Sequence, residues 1–130
     1  WIDLYTFEIV AEETNSTEIE QITYSEKTQR VVETHDNLLT IHSHPNSFPP
    51  SISDLNSNFE HGYTIGIVIC HDGTVYMYNS EEMVPSGYYE RTVAEYLNQG
   101  YNENEAQICA LDELKRKFRI QFKEVTDNDV

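Results

Sequence analysis

The chain has 130 residues, which is a common size for one domain, and we expect a single domain over residues 1–130. Its composition, 38% hydrophobic with nine tyrosines and five phenylalanines, argues against a disordered chain, because disordered segments are poor in apolar and aromatic side chains. The formal net charge of −15 opposes phosphate binding, so we expect no nucleic acid partner and interpret the acidity mainly as a solvated surface, with a patch for a basic partner as the alternative.

The first half of the chain predicts three strands. Alternating bulky and polar residues over 1–10 and 19–24 are typical of the two strands of an opening hairpin. Residues 26–33 fit either a short helix or a loop. The third strand covers 38–44 and ends at Pro45, which cannot donate a ladder hydrogen bond.

The second half of the chain predicts both helices and strands. The Asp72-Gly73 pair is a strong hairpin signal, so the strands on either side of it should pair at the centre of the sheet. We therefore predict an α/β fold. The predicted elements are a helix over 51–61 ending before Gly62, strands over 63–70 and 74–78, a helix over 86–99, a helix capped by Asn102, and a strand over 119–125.

The sequence also predicts the cellular setting. No apolar run reaches the roughly 18 to 20 residues of a membrane span, and no secretory signal opens the chain, so we expect a cytoplasmic protein without a membrane partner. Cys70 and Cys109 lack the spacing of a zinc ribbon or redox pair and are predicted to be buried free thiols. The chain opens at Trp1, without Met and inside a strand-like run, which indicates a fragment of a longer protein.

The segment that carries chemistry runs from His42 to Asp54. Residues two apart in a strand share one face, so His42 and His44 can direct their imidazole nitrogens at one point. Asp54 falls in the first turn of the next helix, where its carboxylate could add a third ligand. Three protein ligands leave the fourth position of Zn²⁺ for water, the arrangement of a catalytic site. The sequence therefore predicts a zinc site of His42, His44 and Asp54.

Each part of this segment also has an interpretation without a metal. Pairs of histidines two apart are common in strands, and Ser51-x-x-Asp54 fits a loose capping box at a helix N-terminus. Taken together, however, the parts form a longer pattern, H-x-H-P followed after a short loop by S-x-x-D, whose chance occurrence is low.

This longer pattern is similar to the signature of the JAB/MPN (JAMM) zinc metalloproteases. The resemblance is specific over 42–54 and implies a JAB/MPN-like (cytidine-deaminase-like) fold, a mixed β-sheet flanked by helices. It implies His42, His44 and Asp54 as zinc ligands, and Ser51 as the catalytic residue that helps to hold the metal-bound water and stabilises the oxyanion. The implied activity is that of a zinc-dependent metallopeptidase or isopeptidase, in which a metal-bound water hydrolyses an amide bond of a protein or peptide substrate.

The loop of this signature departs from the family pattern and points to a subgroup. Five residues separate Pro45 from Ser51, one fewer than usual, which could shift the serine relative to the metal. The residues over 41–51 are more similar to JAMM-like domains of phage-associated minor-head or head-morphogenesis proteins than to eukaryotic deubiquitinases. A virion-associated setting is therefore an alternative to a purely cytoplasmic one. A catalytically silent JAMM-fold binding or structural module of a phage head-morphogenesis protein is the alternative function.

The family also requires a glutamate as general base on an early strand, well before the first histidine. Glu8 is the best candidate within the chain because it lies on a predicted strand, with Glu12 and Glu13 as alternatives. The base could equally lie before Trp1. Because no glutamate stands at the start of the first strand, we expect the chain as given to be a poor catalyst.

Overall fold

The computed structural model describes residues 1–13, 24–45 and 47–126. The strands are β1 (Ile2–Asp3), β2 (Glu8–Ile9), β3 (Leu38–His44), β4 (Ile65–Cys70), β5 (Val75–Ser80) and β6 (Ile120–Val125). The helices of the described residues are α1 (Glu26–Thr34), α2 (Ile52–His61), α3 (Tyr88–Asn98) and α4 (Glu103–Lys117).

The six strands form one mixed sheet in the order β2-β1-β3-β4-β5-β6. β3 and β4 run parallel with α2 as the connection between them, and the other neighbouring strands are antiparallel. A parallel pair needs a long crossover, usually a helix, and α2 meets that need. β4 and β5 are joined through Asp72-Gly73 and lie inside the sheet, as the hairpin signal predicted. The predicted α/β class with a mixed sheet is thus confirmed.

Helices pack against one face of the sheet and enclose the main core there. Leu55 of α2 and Leu111 and Leu114 of α4 are fully buried against side chains of β4, β5 and β6. Val32 of α1 joins a second cluster with Leu38 at the start of β3. No helix of the described segments has the length and apolar composition needed to cross a membrane.

The opening hairpin differs from the prediction of one strand over 1–10. The Asp3 carboxylate accepts a hydrogen bond from the Tyr5 N–H at 2.7 Å, and its carbonyl accepts one from the Phe7 N–H at 2.7 Å. These bonds reverse the chain directly after β1, so both strands of the hairpin lie within the first ten residues. Most of the predicted strand over 19–24 lies outside the described residues; its last residue, Tyr24, is not in a strand.

Local capping signals correctly predicted where two helices begin or end. The Asn102 side chain accepts from the Glu105 N–H, and the Glu105 side chain accepts in return from the Asn102 N–H, at the start of α4. Gly62 ends α2 with φ of 66°, a conformation that glycine adopts without a steric penalty. The segment predicted as a short helix or a loop forms α1, whose N-cap is Ser25.

Candidate metal centre

The predicted ligands come together where β3 ends beside the start of α2. His42 and His44 lie on the face of β3 that is turned toward the helices, because alternate residues of a strand share a face. Asp54 lies in the first turn of α2. Their side chains are 19%, 16% and 14% exposed, so the centre is largely enclosed but still reaches solvent.

The three side chains are arranged closely enough to hold one metal ion. His42 Nε2 lies 3.1 Å from Asp54 Oδ1, His44 Nε2 lies 3.2 Å from Asp54 Oδ2, and the two Nε2 atoms are 3.2 Å apart. Four ligands at about 2.0 to 2.1 Å around a tetrahedral Zn²⁺ lie roughly 3.3 to 3.4 Å from one another. The observed separations are thus close to the edges of one tetrahedron. Among the described residues, this is the one group of three or more histidine, cysteine or carboxylate ligands that could hold an ion.

The two ring nitrogens of His44 both face oxygen atoms. Nδ1 lies 3.1 Å from the Phe48 carbonyl oxygen, while Nε2 faces the Asp54 carboxylate. A neutral imidazole has one N–H, so it can donate to only one of these oxygens. A metal ion at Nε2 resolves the conflict, because Nδ1–H can then donate to the Phe48 carbonyl while the Nε2 lone pair binds the metal. The donor set therefore fits a metal ion.

The carboxylate of Asp54 is oriented by the N-terminus of its own helix. Asp54 Oδ2 accepts a hydrogen bond from the Ser51 N–H at 2.9 Å, and Ser51 Oγ accepts one from the Asp54 N–H at 3.1 Å. This reciprocal pair is a capping box, so the predicted capping role of Ser51 is confirmed. The Asp54 carboxylate belongs both to the capping box and to the metal-binding group, so the start of α2 lies directly beside the centre.

The pKa of Asp54 is lowered well below its usual range in the metal-free protein. Burial acts to raise this pKa, but hydrogen bonds from His42, His44 and the Ser51 N–H outweigh it and favour the charged carboxylate. The lowered pKa means that the ionised group stabilises the folded state above its ordinary pKa of 3.8, and that this contribution is lost as the pH falls through the lowered value.

We therefore expect acid to destabilise the metal-free protein partly through Asp54. Below about pH 4, the free energy of unfolding should fall more steeply for the native chain than for Asp54→Asn, whose amide oxygen can still accept from Ser51. Urea unfolding of both proteins in the presence of a chelator measures this difference. Equal slopes in the two proteins would show that the carboxylate charge contributes nothing to folding.

Two of the three glutamates proposed as general base, Glu8 and Glu13, lie away from the centre. Glu8 pairs with Asp3, which pairs with Leu38 at the far end of β3, about 13 Å along the strand from His42. Glu13 accepts hydrogen bonds from the Ser25 N–H and the Thr28 hydroxyl, at 2.9 and 2.6 Å, and so holds the start of α1.

Glu12 is also absent from the metal-binding group found among the described residues. Within the described part of the chain, Asp54 is the only carboxylate of that group. That this chain lacks a well-placed general base stays a prediction.

An open groove runs beside His44, at the carboxyl ends of the parallel strands. Its volume is about 440 Å³. In the sheet register, His44 stands opposite Cys70, a buried free thiol as predicted, whereas Cys109 is only half-buried. The residues that line the groove are Ser43, His44, Pro45, Ile69, Cys70 and His71.

Sequence patterns missed one partner of the centre that the fold supplies. The carbonyl group of Phe48 orients His44, and the Cys70 thiol also donates to this carbonyl at 3.4 Å. A backbone carbonyl has no sequence signature, because every residue carries one. No protein-family model, curated protein or solved structure matches this chain.

Proposed function

We propose that this chain is a zinc-dependent hydrolase domain that cleaves amide bonds in proteins or peptides, as a metallopeptidase or isopeptidase. The observation that carries the proposal is the arrangement of His42, His44 and Asp54, whose ligand atoms are 3.1 to 3.2 Å apart at a site that reaches solvent. Two imidazoles and one carboxylate, with a fourth position left open, are typical of catalytic zinc. The choice of an amide bond rests on the similarity of 42–54 to the JAMM signature.

Zinc held by these residues would supply a Lewis acid and a water of lowered pKa. The protein supplies the orientation of the ligands. Ser51 fixes the Asp54 carboxylate through its N–H, and the Phe48 carbonyl fixes the tautomer of His44. The groove beside His44 would hold the substrate in extended form.

The side chain of Ser51 can cap α2 and take part in catalysis at the same time. A serine hydroxyl has one O–H donor and two lone pairs, and capping of the Asp54 N–H uses only a lone pair. The O–H therefore stays free to donate to an oxyanion that develops on the substrate. Ser51 is half-buried and adjoins the centre through Asp54.

We expect Ser51→Ala to retain zinc and to lose on the order of 10²-fold in turnover, the scale of one oxyanion donor. This effect is to be measured in a form of the protein that carries a working base. The same substitution should destabilise the fold by about 1 kcal/mol through the lost cap.

The matched control is Asn102→Ala, which removes the equivalent cap of α4. It should cost a similar free energy of unfolding without changing turnover. If the two variants lower stability equally and both leave turnover intact, Ser51 serves only as a helix cap.

A binding or structural module that keeps its metal ligands without turnover is the second candidate. The observation that favours it is the strand register, which places Glu8, the best candidate for the general base, beside the end of β3 that lies about 13 Å from His42. The similarity to phage head-morphogenesis proteins suggests assembly of a virion as the setting of such a module.

Peptide hydrolysis separates the two candidates. Zinc-loaded protein to which a general base has been added should cleave peptides or isopeptide-linked conjugates, and cleavage should stop after chelation and in His42→Ala. A protein that binds zinc and cleaves neither substrate class, even when a base is supplied, would favour the silent module.

A further inference from the structure

Tyr78 reaches across the sheet toward the metal centre. The register pairs Thr40 with Gly66 and Gly66 with Tyr78, so the three residues form one row across β3, β4 and β5. Gly66 has no side chain, and the Tyr78 ring occupies the space above it, because a Cβ added at Gly66 would clash with the Tyr78 ring. The ring therefore crosses β4 in the direction of β3.

The Tyr78 ring contacts the ring of His42, one of the proposed metal ligands. Its centroid lies 6.4 Å from that of the His42 ring, with the planes at 80°, which is an edge-to-face contact. The residue is only 5% exposed. Burial raises the pKa of Tyr78, and the charge of the nearby Asp54 carboxylate raises it further, so the hydroxyl stays neutral beside the centre.

The two ligand histidines are held in different ways. His44 is oriented by the hydrogen bond between Nδ1 and the Phe48 carbonyl oxygen. Among the described residues, no hydrogen-bond partner is found for Nδ1 of His42, whose polar contacts all involve Nε2. Rotation about the Cβ–Cγ bond of histidine is broad, so packing must fix the His42 ring. Two rings from the described part of the chain contact it, those of His44, at 5.0 Å between centroids, and Tyr78, and Tyr78 is the one of these that lies outside the metal-binding group.

We infer that Tyr78 is a positioning residue for the metal centre, and that its ring, laid over Gly66, holds the His42 imidazole with Nε2 directed at Asp54. The inference rests on the proposed metal centre and adds to it a residue that no ligand pattern contains. Loss of an outer partner of a metal ligand typically lowers metal affinity by about 10- to 100-fold.

The test compares the zinc affinity of three variants in competition with a chromophoric chelator. Tyr78→Leu, which removes the ring, should bind zinc about 10- to 100-fold more weakly than the native chain. Tyr78→Phe keeps the ring and should restore native affinity. Cobalt(II) spectra of the loaded proteins should show an altered ligand field in Tyr78→Leu and a native one in Tyr78→Phe.

The matched control is Tyr76→Leu. Tyr76 lies on the same strand and face, is also 5% exposed, and packs against Phe122 rather than against the centre. Its replacement should destabilise the fold like Tyr78→Leu and leave zinc affinity unchanged. Circular dichroism of the metal-free proteins checks folding, and Tyr78→Met replaces Tyr78→Leu if the latter does not fold.

Two results would overturn the inference, and they differ in whether the metal centre itself survives. Equal zinc affinities for Tyr78→Leu, Tyr76→Leu and the native chain would reduce Tyr78 to a core residue while the metal centre stands. A native chain that binds no zinc would remove the metal centre itself, and the inference with it.

Discussion

Zinc binding should be at least about 100-fold weaker in His44→Ala than in the native chain, which should hold about one zinc per chain. His44 is one of three proposed protein ligands. Its replacement should therefore lower zinc affinity by more than the roughly 10- to 100-fold that is typical when a residue supporting a metal ligand is replaced. The imidazole is also the side chain that the Phe48 carbonyl orients toward the centre. Metal analysis after gel filtration and competition titration measure the stoichiometry and the affinity.

His71→Ala is the matched control for this prediction. His71 lines the same groove and its N–H donates to the His44 carbonyl oxygen at 3.1 Å, but it is not in the metal-binding group. Its replacement should leave zinc content unchanged. Equal zinc in the native chain and in His44→Ala would show that the centre does not bind the metal.

A glutamate placed two residues before Trp1 should raise peptide hydrolysis by roughly 10²- to 10⁴-fold over the chain as given. β1 pairs antiparallel with β3, Ile2 opposite Leu39, so a strand continued beyond Trp1 would bring its second added residue opposite His42. Residues directly opposite one another share a face of the sheet, and the added carboxylate would therefore adjoin the centre. General-base catalysis is the contribution that the added carboxylate is expected to make.

The matched control carries glutamine at the added position, which keeps the shape and removes the base. Only the form with the added glutamate should hydrolyse peptides faster, and the glutamine form should be as slow as the unextended chain. Glu8→Gln in the unextended chain should change nothing. Full activity of the unextended chain, lost in Glu8→Gln, would show that Glu8 is the base and that our placement is wrong.

The candidate site could be predicted from sequence because its determinants are local. The two-residue period of a strand puts His42 and His44 on one face, and the Ser51-to-Asp54 spacing fixes the first turn of the next helix. The same local signals located β3 and α2. A helical connection between two neighbouring strands is typical of parallel pairing, as seen for β3 and β4. Most of the architecture around the site could therefore also be predicted from the sequence.

Features that depend on register or on backbone groups could not be predicted. Tyr78, Gly66 and Thr40 form one row because of the register of three strands. The periodicity of each strand does not determine that register. The early turn after Asp3 arises because its carboxylate competes with the strand for backbone N–H groups. Alternation of bulky and polar residues gives no sign of that competition.

X-ray diffraction with anomalous data collected on both sides of the zinc absorption edge tests the central claim most directly. We expect one zinc peak between β3 and α2, bound by Nε2 of His42 and of His44 at about 2.0 to 2.1 Å and by an Asp54 oxygen at about 2.0 to 2.2 Å. A zinc-soaked crystal with no peak at this position, or with His42 and His44 hydrogen-bonded to Asp54 and no metal between them, would contradict it.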